Sequence, residues 1–97
     1  MIVAYVGASA REVAAGCEEE SVPARVEVRA GSPAELARAA AREAPAGIGV
    51  GGDAATLVVA LAGWPEPYIT APVARARDVG HLAARLAARR PLGFPWS

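Results

Sequence analysis

Three consecutive carboxylates, Glu18, Glu19 and Glu20, stand where the sequence predicts a helix to end. A helix C-terminus carries partial negative charge, so each exposed anion there is disfavoured by about 0.3–1 kcal/mol. Lys or Arg is the stabilising choice at that place. Taken alone, such a run reads first as a solvated helix end. A local rule broken three times in succession also marks groups retained for a task. Carboxylate oxygens are hard ligands. Adjacent carboxylates at one helix end, with Glu12 earlier on the same helix, suit a cation site better than an acid–base pair.

The other chemistry-bearing residues are more isolated. Cys17 is the only cysteine. It cannot form an internal disulfide, and as a nucleophile it needs a base; the only histidine, His81, is far away in sequence. Cys17 therefore reads as a small apolar helix residue. His81 has Ala84 and Arg85 at i+3 and i+4, so no second metal ligand stands at helical spacing, and a structural or solvent-facing role is expected. Gly47, Gly49 and Gly52 formally fit G-x-G-x-x-G. A dinucleotide site needs that pattern to open a helix, and here a β-branched strand follows. The expected role of these glycines is close strand packing and then a turn. A phosphoacceptor receiver domain requires acidic residues after the first strand, where this chain has Gly7-Ala8-Ser9. No Ser/His/Asp set assembles.

The elements that must position these residues follow from periodicity. Ile2 to Val6 predicts a buried first strand, broken by Gly7. Ser9-Ala10-Arg11-Glu12 has capping-box form, which starts a helix at Ser9. Val13 and Cys17 mark the apolar stripe of that helix, which runs through the Glu triplet and stops before Pro23. Ala24 to Arg29 alternates with period two, a strand with one wet face near a sheet edge. Ser32-Pro33-Ala34-Glu35 is a second capping box with Pro at the first helical position; its helix ends before Pro45. Gly47 to Val50 and Thr56 to Leu61 predict two strands, and the Gly51-Gly52-Asp53 turn between them predicts an antiparallel hairpin. Tyr68 to Thr70 predicts a fifth strand. Asp78 to Arg90 predicts a last helix with Val79, Leu82 and Leu86 on one face. Within it, Gly80 costs roughly 1 kcal/mol relative to Ala and marks close approach of another backbone. Arg85, Arg89 and Arg90 suit the C-terminal end of its dipole. Pro91 ends it, and Leu92 to Ser97 reads as a tail.

The order β-α-β-α-β-β-β-α has two βαβ crossovers, which make the first three strands parallel. The hairpin reverses the fourth, and a short connection restores the fifth. The expected fold is a three-layer α/β/α sandwich on a five-stranded mixed sheet of order 2-1-3-4-5, with strand 4 antiparallel. Its 97 residues suffice for a single domain, 1–97. An apolar fraction of 54% with zero net charge excludes disorder by composition and a polycation suited to nucleic acid. All ten basic residues are Arg. The apolar N-terminus lacks a basic leader, and no run reaches membrane-spanning length, so a cytoplasmic protein is expected.

Four segments, in order, resemble one family. Gly16-Cys17-Glu18-Glu19-Glu20-Ser21-Val22-Pro23 is similar to the G-[IL]-E-E-E-G-[IV]-P segment of the small subunit of glycerol/diol dehydratase reactivating factors. Ala40-Ala41-Arg42-Glu43-Ala44-Pro45 resembles that family's A-A-R-S-S-P. Gly47-Ile48-Gly49-Val50 resembles its V-G-I-G strand, and Gly80 to Leu86 resembles its G-N-N-A-A-R-L helix. The match departs at Ser21, which replaces a glycine, and at His81-Leu82, which replace an Asn pair. The N- and C-terminal segments are short for the family.

The resemblance implies a chaperone-like, non-enzymatic subunit. Such a subunit has no ATPase and no cofactor of its own. It assembles with a large subunit built on an actin-like ATPase core and resembles the cobalamin-binding medium subunit of the dehydratase. That mimicry permits subunit exchange with the dehydratase complex, through which damaged cofactor escapes. The resemblance also implies that Glu19 faces the large subunit and helps hold a divalent cation, magnesium, with Glu18 and Glu20 beside it at the interface. Alternatives are a cofactor-binding piece related to the medium subunit, which the short chain disfavours, and a free-standing small-molecule-binding α/β domain.

Overall fold

The computed structural model describes residues 1–89. Its elements, in chain order, are β1 (Ile2–Val6), α1 (Ala10–Glu19), β2 (Ala24–Val28), α2 (Pro33–Glu43), β3 (Ile48–Gly52), β4 (Thr56–Leu61), β5 (Ile69–Pro72), a 3-10 turn (Val73–Arg75) and α3 (Ala76–Ala88). They form one five-stranded sheet of order β2-β1-β3-β4-β5. β1 pairs parallel with both β2 and β3, and β4 is antiparallel to β3 and β5. The expected α/β fold, strand order and reversed fourth strand are all present.

Period-two alternation divides the sheet into two faces. Ile2, Ala4 and Val6 pack with Val50, Leu57 and Val59 beneath Val13 and Cys17 of α1 and Val79, Leu82 and Ala83 of α3. Val3 and Tyr5 point the other way, onto Ala40 of α2 and Ala44 just beyond its end. Ala37 and Ala41 of α2 meet Val58 and Ala60. The α1–α3 pair therefore covers one face, and α2 alone covers the other. That second cover is thin because it is built of alanine. It lies close because Gly49 and Gly51 have no side chain: a Cβ at Gly49 would be driven into the Ala41 nitrogen and the Ala37 carbonyl, and one at Gly51 into Pro33 and Ala37.

Local details differ from the sequence expectation. Gly51 and Gly52 are strand residues, not the turn. The hairpin turns at Asp53–Ala55, where Asp53 Oδ1 accepts hydrogen bonds from the Ala55 and Thr56 nitrogens, each at 2.8 Å. Those N–H groups, Ala55 first, hold the Asp53 carboxyl below its ordinary pKa. Neither capping box closes. Ser9 lies in the helical region (φ −80, ψ 0). An N-cap side chain reaches back to the first-turn N–H groups from an extended backbone, and the buried Ser9 Oγ has no hydrogen-bond partner. Ser32 has the extended conformation, with Pro33 at the first helical position as expected, yet makes no side-chain cap bond. The last helix starts at Ala76 rather than Asp78, because the 3-10 turn leads directly into it. It ends at Ala88, short of the expected Arg90, because Arg89 takes the left-handed conformation (φ 58) that breaks the helix; the tail beyond lies outside the described residues.

Candidate functional site: the α1 C-terminus and its α3 counterpart

α1 ends in a Schellman turn. The Ser21 nitrogen donates to the Glu18 carbonyl at 2.9 Å and the Val22 nitrogen to the Cys17 carbonyl at 3.1 Å. Ser21 takes the left-handed conformation this turn requires, with φ 58. Val22 packs on the core that contains Cys17, the hydrophobic contact that accompanies such a turn. The turn fixes where the three carboxylates leave the helix.

α3 crosses directly behind them. Gly16 and Gly80 meet at the crossing, so the two backbones touch: a Cβ at Gly16 would lie 2.8 Å from the His81 nitrogen and 3.0 Å from the Gly80 Cα. Cys17 Sγ lies 3.5 Å from the Gly80 carbonyl oxygen. Burial, and then the Glu18 charge, push the Cys17 thiol up to about 12. A thiol so held is an inert core group, as the sequence reading expects.

The close crossing brings a stripe of α3, Arg77, His81 and Arg85 at successive four-residue steps, against the acids of α1. His81 Nδ1 is 2.7 Å from Glu20 Oε2, and its Nε2 is 2.7 Å from Glu19 Oε1. Both contacts are hydrogen bonds at once only when both ring nitrogens carry a proton. Arg85 Nε donates to Glu20 Oε2 at 2.9 Å. Arg77 reaches Glu12 at 3.1 Å and Glu19 at 3.6 Å.

The triplet is therefore graded. The Glu20 side chain is 10% exposed and locked between His81 and Arg85, whereas Glu19 is 46% exposed. Glu18 is exposed and makes no ion pair among the described residues. The sequence singles out all three acids and sets His81 apart from them. It misses Arg77, His81 and Arg85 as their partners. The signal lies in the i, i+4, i+8 spacing of those residues and in Gly80 beside His81.

Among the described residues, no group of three or more His, Cys, Asp or Glu side chains converges as a metal site. Glu18 is solvated, and Glu19 is half-exposed with Oε1 on His81 and Oε2 toward Arg77; carboxylates are the donor type that magnesium takes, with water completing its shell.

A second polar cluster lies across the sheet. Tyr5 Oη donates to Glu43 Oε1, and Arg25 Nη2 reaches Glu43 at 2.7 Å and the Tyr5 oxygen at 2.8 Å. The Arg29 guanidinium stacks 3.7 Å above the Tyr5 ring. The Tyr5 bond, then Arg25, holds Glu43 below its ordinary pKa, while burial pushes the Tyr5 phenol up. These groups satisfy one another and tie β2 to β1 and α2.

Doubly wound sheets bind ligands at the carboxyl ends of their strands, at the switch point between β1 and β3. A hollow of about 330 Å³ lies there, lined by small or apolar residues such as Gly7, Ala8, Val28 and Gly52. Its charged residues, Arg29 and Asp53, are engaged elsewhere. The G-x-G-x-x-G pattern runs from Gly47 through β3 into an antiparallel hairpin, so a strand and not a helix follows it.

Fold and site together define a doubly wound α/β subunit with a charged interhelical face. The chain belongs to the dehydratase medium subunit family, whose model matches residues 3–93. Two solved structures are similar over nearly the whole of both chains. One, a structure of diol dehydratase-reactivating factor complexed with ADP and Mg2+, is 31% identical, with a TM-score of 0.81 over 95% of this chain and 94% of that one. The other, a glycerol dehydratase reactivase, shares the fold at 24% identity, with a TM-score of 0.82 and 96% coverage of each chain. No curated protein sequence matches the chain.

Proposed function

We propose that this chain is the small subunit of a reactivating factor for a cobalamin-dependent diol or glycerol dehydratase. It assembles with a large subunit carrying an actin-like ATPase core and exchanges with a dehydratase subunit so that damaged cofactor is released. The observation that carries this reading is the near-complete mutual coverage, at 31% identity, with a chain of a diol dehydratase-reactivating factor. The family model supplies the second reading, a piece akin to the dehydratase medium subunit. No helix among the described residues is long and apolar enough to cross a membrane.

In the first reading the exposed carboxylates of α1 face the large subunit, and Glu19, with Glu18 next to it, contributes to a divalent cation at that interface. Glu19, with Glu18, would hold such a cation, which would supply positive charge at this helix end. Within this chain, His81 and Arg77 hold Glu19 in place.

Glu19→Gln tests this. Its effect on the isolated fold is small, because two terms oppose each other. An ion pair at a half-exposed site contributes about 0–1 kcal/mol, and removing an anion from a helix C-terminus returns about 0.3–1 kcal/mol. Affinity for the large subunit falls by about 30-fold or more, the scale of a lost charged contact at a desolvated interface, and its magnesium dependence shrinks. Glu27→Gln is the control, since Glu27 pairs with Arg25 and Arg29 on β2. Equal effects of the two substitutions, or none from either, refute the assignment of Glu19. Purification from the native host with dehydratase subunits alone favours the second reading.

A further inference from the structure

The face of α2 turned away from the sheet carries a feature that neither the Glu triplet nor the core uses. Arg38 and Arg42, one helical turn apart, border an open hollow of about 270 Å³ that Leu61, Ala62, Gly63 and Trp64 also line, with the Leu61 side chain turned into the core. Arg25, Arg29, Arg75, Arg77 and Arg85 each pair with a carboxylate. Arg38 and Arg42 pair with none among the described residues. Beside them the Trp64 side chain is left 56% exposed. It is not loose: the Trp64 nitrogen donates to the Leu61 carbonyl at 3.1 Å, and the ring stands edge-on to Tyr68, centroids 6.1 Å apart. Two unpaired guanidinium groups and a pre-positioned indole are the residue types in which interface binding energy concentrates.

We propose that this surface docks an acidic segment of a protein partner, its carboxylates on Arg38 and Arg42 and an apolar side chain on Trp64. The complementarity selects that occupant. Two guanidinium groups at i and i+4 match two carboxylates spaced alike on a partner helix. The exposed indole offers nothing to a bare anion. The surface lies on the α2 side of the sheet, opposite the α1–α3 face with the Glu triplet. It therefore stands independently of the reading given to Glu19.

The test is a titration of the isotopically labelled full chain with a short synthetic helical peptide, followed by NMR. The peptide carries Glu at i and i+4 and Leu on the same face. Saturable shifts are expected at the Arg38 and Arg42 side chains and the Trp64 indole. Replacing the peptide's Glu by Gln, or its Leu by Ser, weakens binding about tenfold each. The double variant R38E/R42E abolishes binding, and R38Q/R42Q, free of any new repulsion, weakens it about 30-fold. Glu19→Gln leaves the titration unchanged. The proposal is overturned if the peptide gives no saturable shifts at these residues up to about 1 mM, or if the Gln peptide binds as well. It is equally overturned if inorganic phosphate alone reproduces the shifts at the same concentration, or if Glu19→Gln removes peptide binding while the fold is retained.

Discussion

Gly80→Ala distinguishes touching helices from merely neighbouring ones, because the two cases predict opposite signs. In an exposed helix interior, Gly to Ala stabilises by about 1 kcal/mol. Here a methyl group at Gly80 would lie 3.1 Å from the Gly16 Cα and 3.1 Å from the Val13 carbonyl carbon, and closer still to the Val13 oxygen. Carbon atoms settle at about 3.5–4.0 Å, so α1 and α3 must separate by roughly 1 Å or bend. Overpacking of this kind costs about 1–3 kcal/mol, and rigid backbone on both sides puts this site at the upper end. After the gain in helix propensity, a net loss of about 1–2 kcal/mol remains. For a domain of this size each kcal/mol moves Tm by about 4–8 °C. The separation also acts on the site, since Glu19 and Glu20 reach His81 only across this crossing. Urea unfolding followed by circular dichroism reads the change as a lowered midpoint with unchanged slope. A raised midpoint for Gly80→Ala would mean that the helices do not touch and that the charge network is not held by their contact.

Other consequences are open to the same instruments. Ser21→Gly relieves a left-handed residue, worth about 1–2 kcal/mol, against about 0.5–1 kcal/mol of added unfolded-state entropy; a net stabilisation of about 0.5–1 kcal/mol is expected in urea, and a loss of stability contradicts the turn. Cys17, the only thiol, should resist iodoacetamide at neutral pH while the protein is folded and react once urea unfolds it; alkylation of the native protein at the rate of a free thiol refutes its burial. Glu43 has a folded pKa below its ordinary 4.5, so its contribution is complete above that value and is lost as pH falls through the lower folded pKa; Glu43→Gln should flatten the acid limb of stability against pH, and an unchanged limb places the acid sensitivity elsewhere. Glu20→Gln weakens two charge-assisted bonds at a nearly buried site and should cost about 1–3 kcal/mol, measurably more than Glu19→Gln; equal costs refute the grading of the triplet.

The parts of this structure legible from sequence are those governed by short-range periodicity. The all-apolar Ile2–Val6 strand, the period-two Ala24–Val28 edge and the antiparallel Thr56–Leu61 strand each fix a face or direction, and together they define the sheet. The turn between β3 and β4 is misplaced in the sequence reading because glycine has two uses. Gly51 and Gly52 continue the strand, with Gly51 admitting α2 to close packing, while the side chain of Asp53 closes the turn. Ser9 matches the capping pattern, but its side chain caps nothing, since pattern does not set the N-cap backbone angles. The triplet stands out because it violates a local rule. Its partners do not, because Arg77, His81 and Arg85 are ordinary residues for a helix face. Only the Gly16–Gly80 crossing, a tertiary event, brings them within reach of the acids.

The grading of the three acids changes what the run is for. If all three were solvated, the helix-dipole cost would be uncompensated and any one of them could serve a partner equally. Instead Glu20 is committed to His81 and Arg85, and the guanidinium groups of Arg77 and Arg85 offset the dipole at α1's end. Glu19 is shared between His81, Arg77 and solvent, and Glu18 faces solvent. One acid thus anchors α1 to α3, and that anchor holds the neighbouring two in a fixed direction on a rigid helix end. Preorganisation lowers the ordering cost that a flexible carboxylate pair would incur on meeting a cation or a partner surface. The same arrangement sets a threshold, because a partner that takes Glu19 must offer more than Arg77 and His81 do.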